Sequence, residues 1–164
     1  MGDTVARISA QWREQRPDLD VSSMEVVGRV LRMAALVNQI TEETFAEAGL
    51  IRPEFEVLSA LRRADVGLRP SQLTRETLSS GAATTKRLAK LERDGLLTRT
   101  ASARDRREVD VRLTDAGRAL IDRLLPRSLH AEADVLVALS QAERDRLAAL
   151  LTKVLAPLEG ATRS

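Results

Sequence analysis

The chain has 164 residues, room for one domain with an added dimerisation element, and 43% of them are apolar, enough for a core packed by Leu, Val, Ala and Ile because aromatics are only 2%. Acidic and basic residues nearly cancel at a net +2, so an anionic partner must be met by a local patch, and the absence of cysteine excludes disulfides, thiolate nucleophiles and thiol redox sensing. With His130 as the sole histidine, a nitrogen–sulfur metal site is not expected, and neither a signal peptide nor an apolar run long enough to span a membrane is present, so a cytoplasmic protein without cofactor or metal is expected.

In chain order, Thr4 to about Gln15 reads as a short helix broken by "RPD" at Arg16–Asp18. "SSME" at Ser22–Glu25 matches a capping box, and Val26, Val27, Val30, Leu31, Ala34, Val37 and Ile40 follow at helical spacing until Gly49. Pro53 suits a first helical turn, and the helix after it places Phe55, Leu58 and Leu61 on one side. The stretch from Leu68 to Arg99 reads as helix, turn, helix, strand. Pro70 opens the first helix, Ser79 or Ser80 caps the second, and Gly95 ends it. Leu96–Ser102 and Glu108–Leu113 form a hairpin in which Val109, Val111 and Leu113 alternate with Glu108, Asp110 and Arg112, one face wet. Thr114 caps a further helix, with Asp115 complementing its dipole and Leu120, Ile121, Leu124 and Leu125 striping one face until Pro126. "SQAE" at Ser140–Glu143 is a second capping box. The seam of Leu147, Leu150, Leu151, Val154, Leu155 and Leu158 fits either packing within one chain or, as the favoured reading, an intersubunit bundle with the N-terminal helices.

The chemistry concentrates in the middle. On a helical wheel of Gly81–Asp94, Leu88 and Leu91 face the core with Thr84 and Gly81 near them, while Ala82, Ala83, Lys86, Arg87, Lys90 and Arg93 spread over the other side. A basic face beside small residues suits the major groove of DNA, where alanine methyls can touch thymine and Lys or Arg can meet phosphates or guanine edges. A solvated helix face would look the same, and the hairpin shifts the balance toward DNA. From Lys86 to Arg112, Lys86, Arg87, Lys90, Arg93, Arg99, Arg104, Arg106, Arg107 and Arg112 stand against Glu92, Asp94, Asp105, Glu108 and Asp110, an excess of four positive charges. The hairpin tip, carrying Arg104, Arg106 and Arg107, fits a narrow minor groove, with Asp105 pairing a neighbouring arginine.

"RPEFEVLSAL", "RPSQLTRETLSSGAATTKRLAKLERDGLLTR", "DRREVDVRLTDAGRAL" and the leucine-rich last helix together resemble the MarR family of winged-helix regulators, over almost the whole chain from the first long helix onward. The resemblance implies a mainly α fold with a small β-hairpin: N-terminal helices over 1–50, a winged helix-turn-helix domain over 51–115, and C-terminal helices over 116–164 that join the first in a dimerisation bundle. It implies a homodimer that represses transcription from a pseudopalindrome in double-stranded DNA and is released by a small ligand. The DNA contacts would be Ser80, Ala82, Ala83, Lys86, Arg87, Lys90, Arg104, Arg106 and Arg107. The adjacent alanines, where many members carry hydroxyl or longer side chains, leave the operator sequence open.

Trp12, the only Trp, precedes the long helix in a segment that looks like the extra first helix of the urate-responsive subgroup. That resemblance places a ligand among Trp12, Glu56, Arg87 and Arg99, with Glu56 where the subgroup has Asp. A flat indole face and two guanidiniums suit a planar anion, urate-like or phenolic. Trp12 as a core or interface anchor, Arg87 as a phosphate contact, and an ordinary Arg99–Glu56 ion pair are the alternatives. A sequence-independent architectural DNA binder is the alternative function. An enzyme is not expected, because no His cluster, phosphate-binding glycine loop or nucleophile elbow is found, and His130 reads as an interface or surface residue.

Overall fold

The computed structural model describes residues 2–64, 66–101 and 109–161. Their elements run α1 (Thr4–Gln15), α2 (Met24–Ala46), α3 (Arg52–Ala64), α4 (Pro70–Glu76), α5 (Gly81–Arg93), β1 (Leu97–Ala101), β2 (Val109–Leu113), α6 (Asp115–Val135) and α7 (Gln141–Ala161). This is the expected mainly helical architecture with one antiparallel hairpin. Two compact units are distinguished, Met1–Ser128 and Leu129–Ser164. No helix among the described residues is long and apolar enough to cross a membrane.

In the first unit, α1 starts where the Asp3 carboxylate accepts from the Ala6 amide and lies on α2 with Val5 against Gly28. A Cβ on Gly28 would stand 2.9 Å from Val5 Cγ1, so this glycine sets how closely the two helices approach. The expected capping box at Ser22–Glu25 does not form. Ser23 is the N-cap and makes no side-chain cap bond, and the Ser22 amide donates to Asp20. Glu25 is drawn instead to Arg13 and Arg29 at 2.8 and 2.6 Å, because two cations outbid one backbone amide for a carboxylate.

Helix α2 closes with Gly49 at φ +68°. The Leu50 amide reaches back to the Phe45 carbonyl and the Gly49 amide to that of Ala46, the paired bonds of a Schellman cap. That turn brings Phe45 onto Phe55, with ring centroids 4.5 Å apart. The core continues through Val57, Leu58, Leu61, Leu73, Leu88, Leu91, Leu97, Val111, Ile121 and Leu124.

Helix α6 departs from expectation: Pro126 lies inside it instead of ending it. The missing proline amide leaves one helical bond unmade. Ile121 and Leu124 before the proline and Ser128 after it are all buried, and that burial keeps the chain helical through the defect.

In the second unit, α6 runs to Val135 and a turn leads to α7. Here Ser140 is capped as expected on the Glu143 side: its amide and hydroxyl both donate to the Glu143 carboxylate, at 2.8 and 2.6 Å. Along α7, Leu150, Val154, Leu155 and Leu158 are exposed. His130 is exposed and stands 3.8 Å from Asp134.

Candidate nucleic-acid interface

Helices α4 and α5 form the helix-turn-helix. Pro70 opens α4, whose first free amide, that of Arg69, is taken by the Gln72 side chain at 2.8 Å. The turn that follows is a Schellman cap of the kind found at Gly49, with the Ser79 amide on the Thr74 carbonyl and the Leu78 amide on that of Arg75. Its left-handed position is occupied by Leu78 at φ +47°, with the side chain exposed. Inside the corner, the Thr74 hydroxyl donates to the buried Thr84 hydroxyl at 3.0 Å, which holds the two helices at a fixed crossing. Ser80 caps α5, its hydroxyl accepting from the Ala83 amide at 3.2 Å.

The buried side of α5 carries Thr84, Leu88 and Leu91; Gly81, expected near it, is exposed. Ala82, Thr85, Lys86, Ala89 and Arg93 are exposed on the other side. Sequence reasoning passed over Thr85, although its spacing of three and four residues from Ala82 and Ala89 places it on that face. It also passed over Ser71 and Arg75, exposed on α4, where the first helix of such a motif crosses the phosphate backbone.

The hairpin pairs Leu97 with Leu113, Arg99 with Val111 and Ala101 with Val109, and Leu68 adds a short bridge to Val111. Val111 is fully buried, whereas Val109 is already exposed, so the strand leaves the core as it leaves the helices. Arg104, Arg106, Arg107 and Asp105 lie outside the described residues.

The hairpin base is locked to α6. Thr114 donates to the Gly95 carbonyl at 2.7 Å and accepts from the Gly117 amide at 3.0 Å. Gly95, at φ +72°, is the third Schellman turn, and Gly117 passes so near that a Cβ there would meet the Leu96 carbonyl oxygen at 1.9 Å. The "LT–GR" element of the sequence is therefore the joint between recognition helix, hairpin and α6.

Of the other expected site residues, Arg87, Arg99, Glu56 and Lys90 each have a partner of their own. Arg87 donates to the Ser79 hydroxyl, tying α5 to the turn before it. Arg99 pairs with Glu92 rather than Glu56, and this hydrogen-bonded pairing lowers the Glu92 carboxyl and raises the arginine. Glu56 stands 3.4 Å from Arg52. Trp12 lies on α1 with 47% of its surface exposed, so it is not a core residue of this chain. Lys90 points to the α2–α3 corner, its ammonium 3.0 Å from the Gly49 carbonyl, 3.2 Å from Glu54 and 3.0 Å from Asp94. Burial works against its charge, but hydrogen bonds to Asp94 and Glu54 outweigh it and hold the ammonium above its ordinary value.

The chain is 38% identical to the HTH-type transcriptional regulator PecS of Dickeya dadantii (strain 3937), over 92% of each chain. It belongs to the MarR family. The MarR family profile itself matches residues 48–108, from the end of α2 to the hairpin. A second MarR-type relative, the HTH-type transcriptional repressor YetL of Bacillus subtilis (strain 168), is 28% identical over 84% of this chain and 83% of its own. Among solved structures, Bordetella bronchiseptica BpsR, whose DNA binding is regulated by 6-hydroxynicotinic acid, superposes with a TM-score of 0.69 at 29% identity, over 78% of this chain and 97% of its own. The MarR fold thus accounts for the placement of α4, α5 and the hairpin.

Proposed function

We propose that this MarR-family protein is a homodimeric transcriptional repressor that binds a pseudopalindromic operator and is released by a small anionic aromatic or purine-like ligand. The observation that carries the DNA-binding part is the exposed Ala82–Thr85–Lys86–Ala89 face of α5, presented by a corner whose buried side is fixed by Thr84, Leu88 and Leu91. Small side chains let the helix approach base edges, and Ser80, Ala83, Lys86 and Arg87 supply contacts at its N-terminal half. Arg104, Arg106 and Arg107 would reach the flanking minor groove.

A homodimer is supported by apolar faces left uncovered. Val26, Val27, Leu31 and Ile40 are exposed along α2, and Leu150, Val154, Leu155 and Leu158 along α7. Exposed apolar side chains that recur along a helix in this way mark an interaction surface.

The ligand reading rests on Trp12, exposed on the extra N-terminal helix, and on Arg87, which sits on the recognition helix itself. A planar anion recruiting Arg87 from Ser79, with Trp12, Glu56 and Arg99, would shift the reading surface. BpsR, regulated by a small hydroxylated aromatic acid, supports that class of effector. Titrating Trp12 emission with urate, xanthine and salicylate tests it: a saturable change accompanied by weaker operator binding is expected, and unchanged emission with unaltered affinity contradicts it.

Affinity measured at several salt concentrations tests the DNA contacts. Lys86→Ala and Arg106→Ala are each expected to lower the salt slope by about one unit. Curves that overlay wild type contradict the assignment.

A further inference from the structure

We propose that Lys90 is a positioning residue: it clamps the C-terminal end of recognition helix α5 to the α2–α3 corner, and so aims the DNA-reading face without touching DNA. The inference rests on the repressor reading of α5 and gives its basic face a division of labour.

An ammonium group has three N–H donors. In Lys90 these meet three acceptors from three places in the fold: the Gly49 carbonyl in the Schellman turn closing α2, the Glu54 carboxylate in the first turn of α3, and Asp94 at the end of α5 itself. No N–H is left for a phosphate. The Glu54 side chain is 6% exposed, and the same oxygen that receives Lys90 also accepts the Ile51 amide at 3.0 Å. One carboxylate thus starts α3 and anchors α5.

The lever is favourable. Helix α5 has 13 residues, about 20 Å of rod at 1.5 Å per residue. Losing the hold at Lys90 lets the rod pivot about its bonds to α4, which changes the tilt of the face that carries Ala82, Thr85 and Lys86. The Ser79–Arg87 bond and the Thr74–Thr84 bond fix the near end to α4. Only the Lys90 clamp fixes the far end to α2 and α3 among the bonds described for α5. Neighbouring basic residues of one helix therefore divide: Lys86 faces outward, and Lys90 faces inward.

The test is affinity for a selected operator against salt for wild type, Lys86→Ala, Lys90→Met, Glu54→Gln and the Lys90→Met/Glu54→Gln double variant, with folding checked by circular dichroism. Glutamine is isosteric and keeps an oxygen for the Ile51 amide while removing the carboxylate charge that holds the Lys90 ammonium, so Glu54→Gln loosens the clamp without unmaking the start of α3 and decides the matter where Lys90→Met fails to fold. Both clamp variants are expected to bind at least about tenfold more weakly with the wild-type salt slope, and the double variant no more weakly than the poorer single. Lys86→Ala should lower the slope. A slope reduced by about one unit in Lys90→Met, or wild-type affinity in Glu54→Gln, overturns the clamp while leaving the repressor reading in place. A wild type that prefers no DNA sequence overturns the repressor reading, and the clamp's role in DNA positioning with it.

Discussion

Three turns in this chain share one hydrogen-bonding pattern, and a single side chain separates them. Gly49 and Gly95 occupy the left-handed position of their Schellman turns, and Leu78 occupies the third. A leucine at φ +47° carries strain that glycine does not, and its exposed side chain gains little from packing. Leu78→Gly is expected to stabilise the protein by roughly 0.5–1 kcal/mol, read as a rise in Tm, and a fall would show that the leucine makes a contact of its own in the assembled protein. Gly117 is the opposite case. Its α-carbon lies against the Leu96 carbonyl, so Gly117→Ala must push α6 away from the hairpin base. A loss of more than about 2 kcal/mol in denaturant unfolding is expected, and wild-type stability would contradict this packing. The two glycine turns were legible because glycine advertises a positive φ. The Leu78 turn was legible only as a break, because leucine gives no such signal.

At the scale of elements, the helix-turn-helix and the hairpin could be read from local rules: Pro70, the Ser80 cap, Gly95, and alternation around Val111. Each is settled within a few residues, and the structure agrees. Two features were not legible because they depend on groups distant in sequence. Pro126 would end a helix by local rules, yet tertiary burial of Ile121, Leu124 and Ser128 carries α6 through it. Lys90 sits on the basic side of the wheel, but its partner Glu54 is 36 residues away. The N-terminal helix has a pH signature of its own. Asp3 is lowered chiefly by the Ala6 amide, with Arg29 adding to it, and Glu25 is lowered by Arg29 and then Arg13. Carboxyls depressed by folding contribute stability that is complete above their ordinary range and lost as pH falls through the lowered values. Helix α1 is therefore expected to loosen from α2 only on acidification below the ordinary carboxylate range, and Asp3→Asn to shift that transition, followed by Trp12 emission. An acid transition identical in wild type and Asp3→Asn would remove the role given to this network.

At the scale of the whole molecule, the family relation and the uncovered faces of α2 and α7 argue for two copies acting together. A chain ending at Leu139 lacks the α7 seam and is expected to lose the dimer and precipitate, whereas a well-behaved monomer or a dimer from that chain would contradict this interface. The charge distribution follows the same logic. The net charge is only +2, and the positive excess is concentrated in the recognition helix and hairpin, so a duplex is met by local patches and not by a general field. Symmetry would double those patches and space them along one side of the double helix. Selection of bound duplexes from a random pool tests this most directly. Recovery of one pseudopalindrome whose half-sites lie about 10 base pairs apart, a single turn of DNA, is expected. Recovery of unrelated sequences with equal affinities, all steeply dependent on salt, would contradict it and leave a sequence-independent DNA binder in its place.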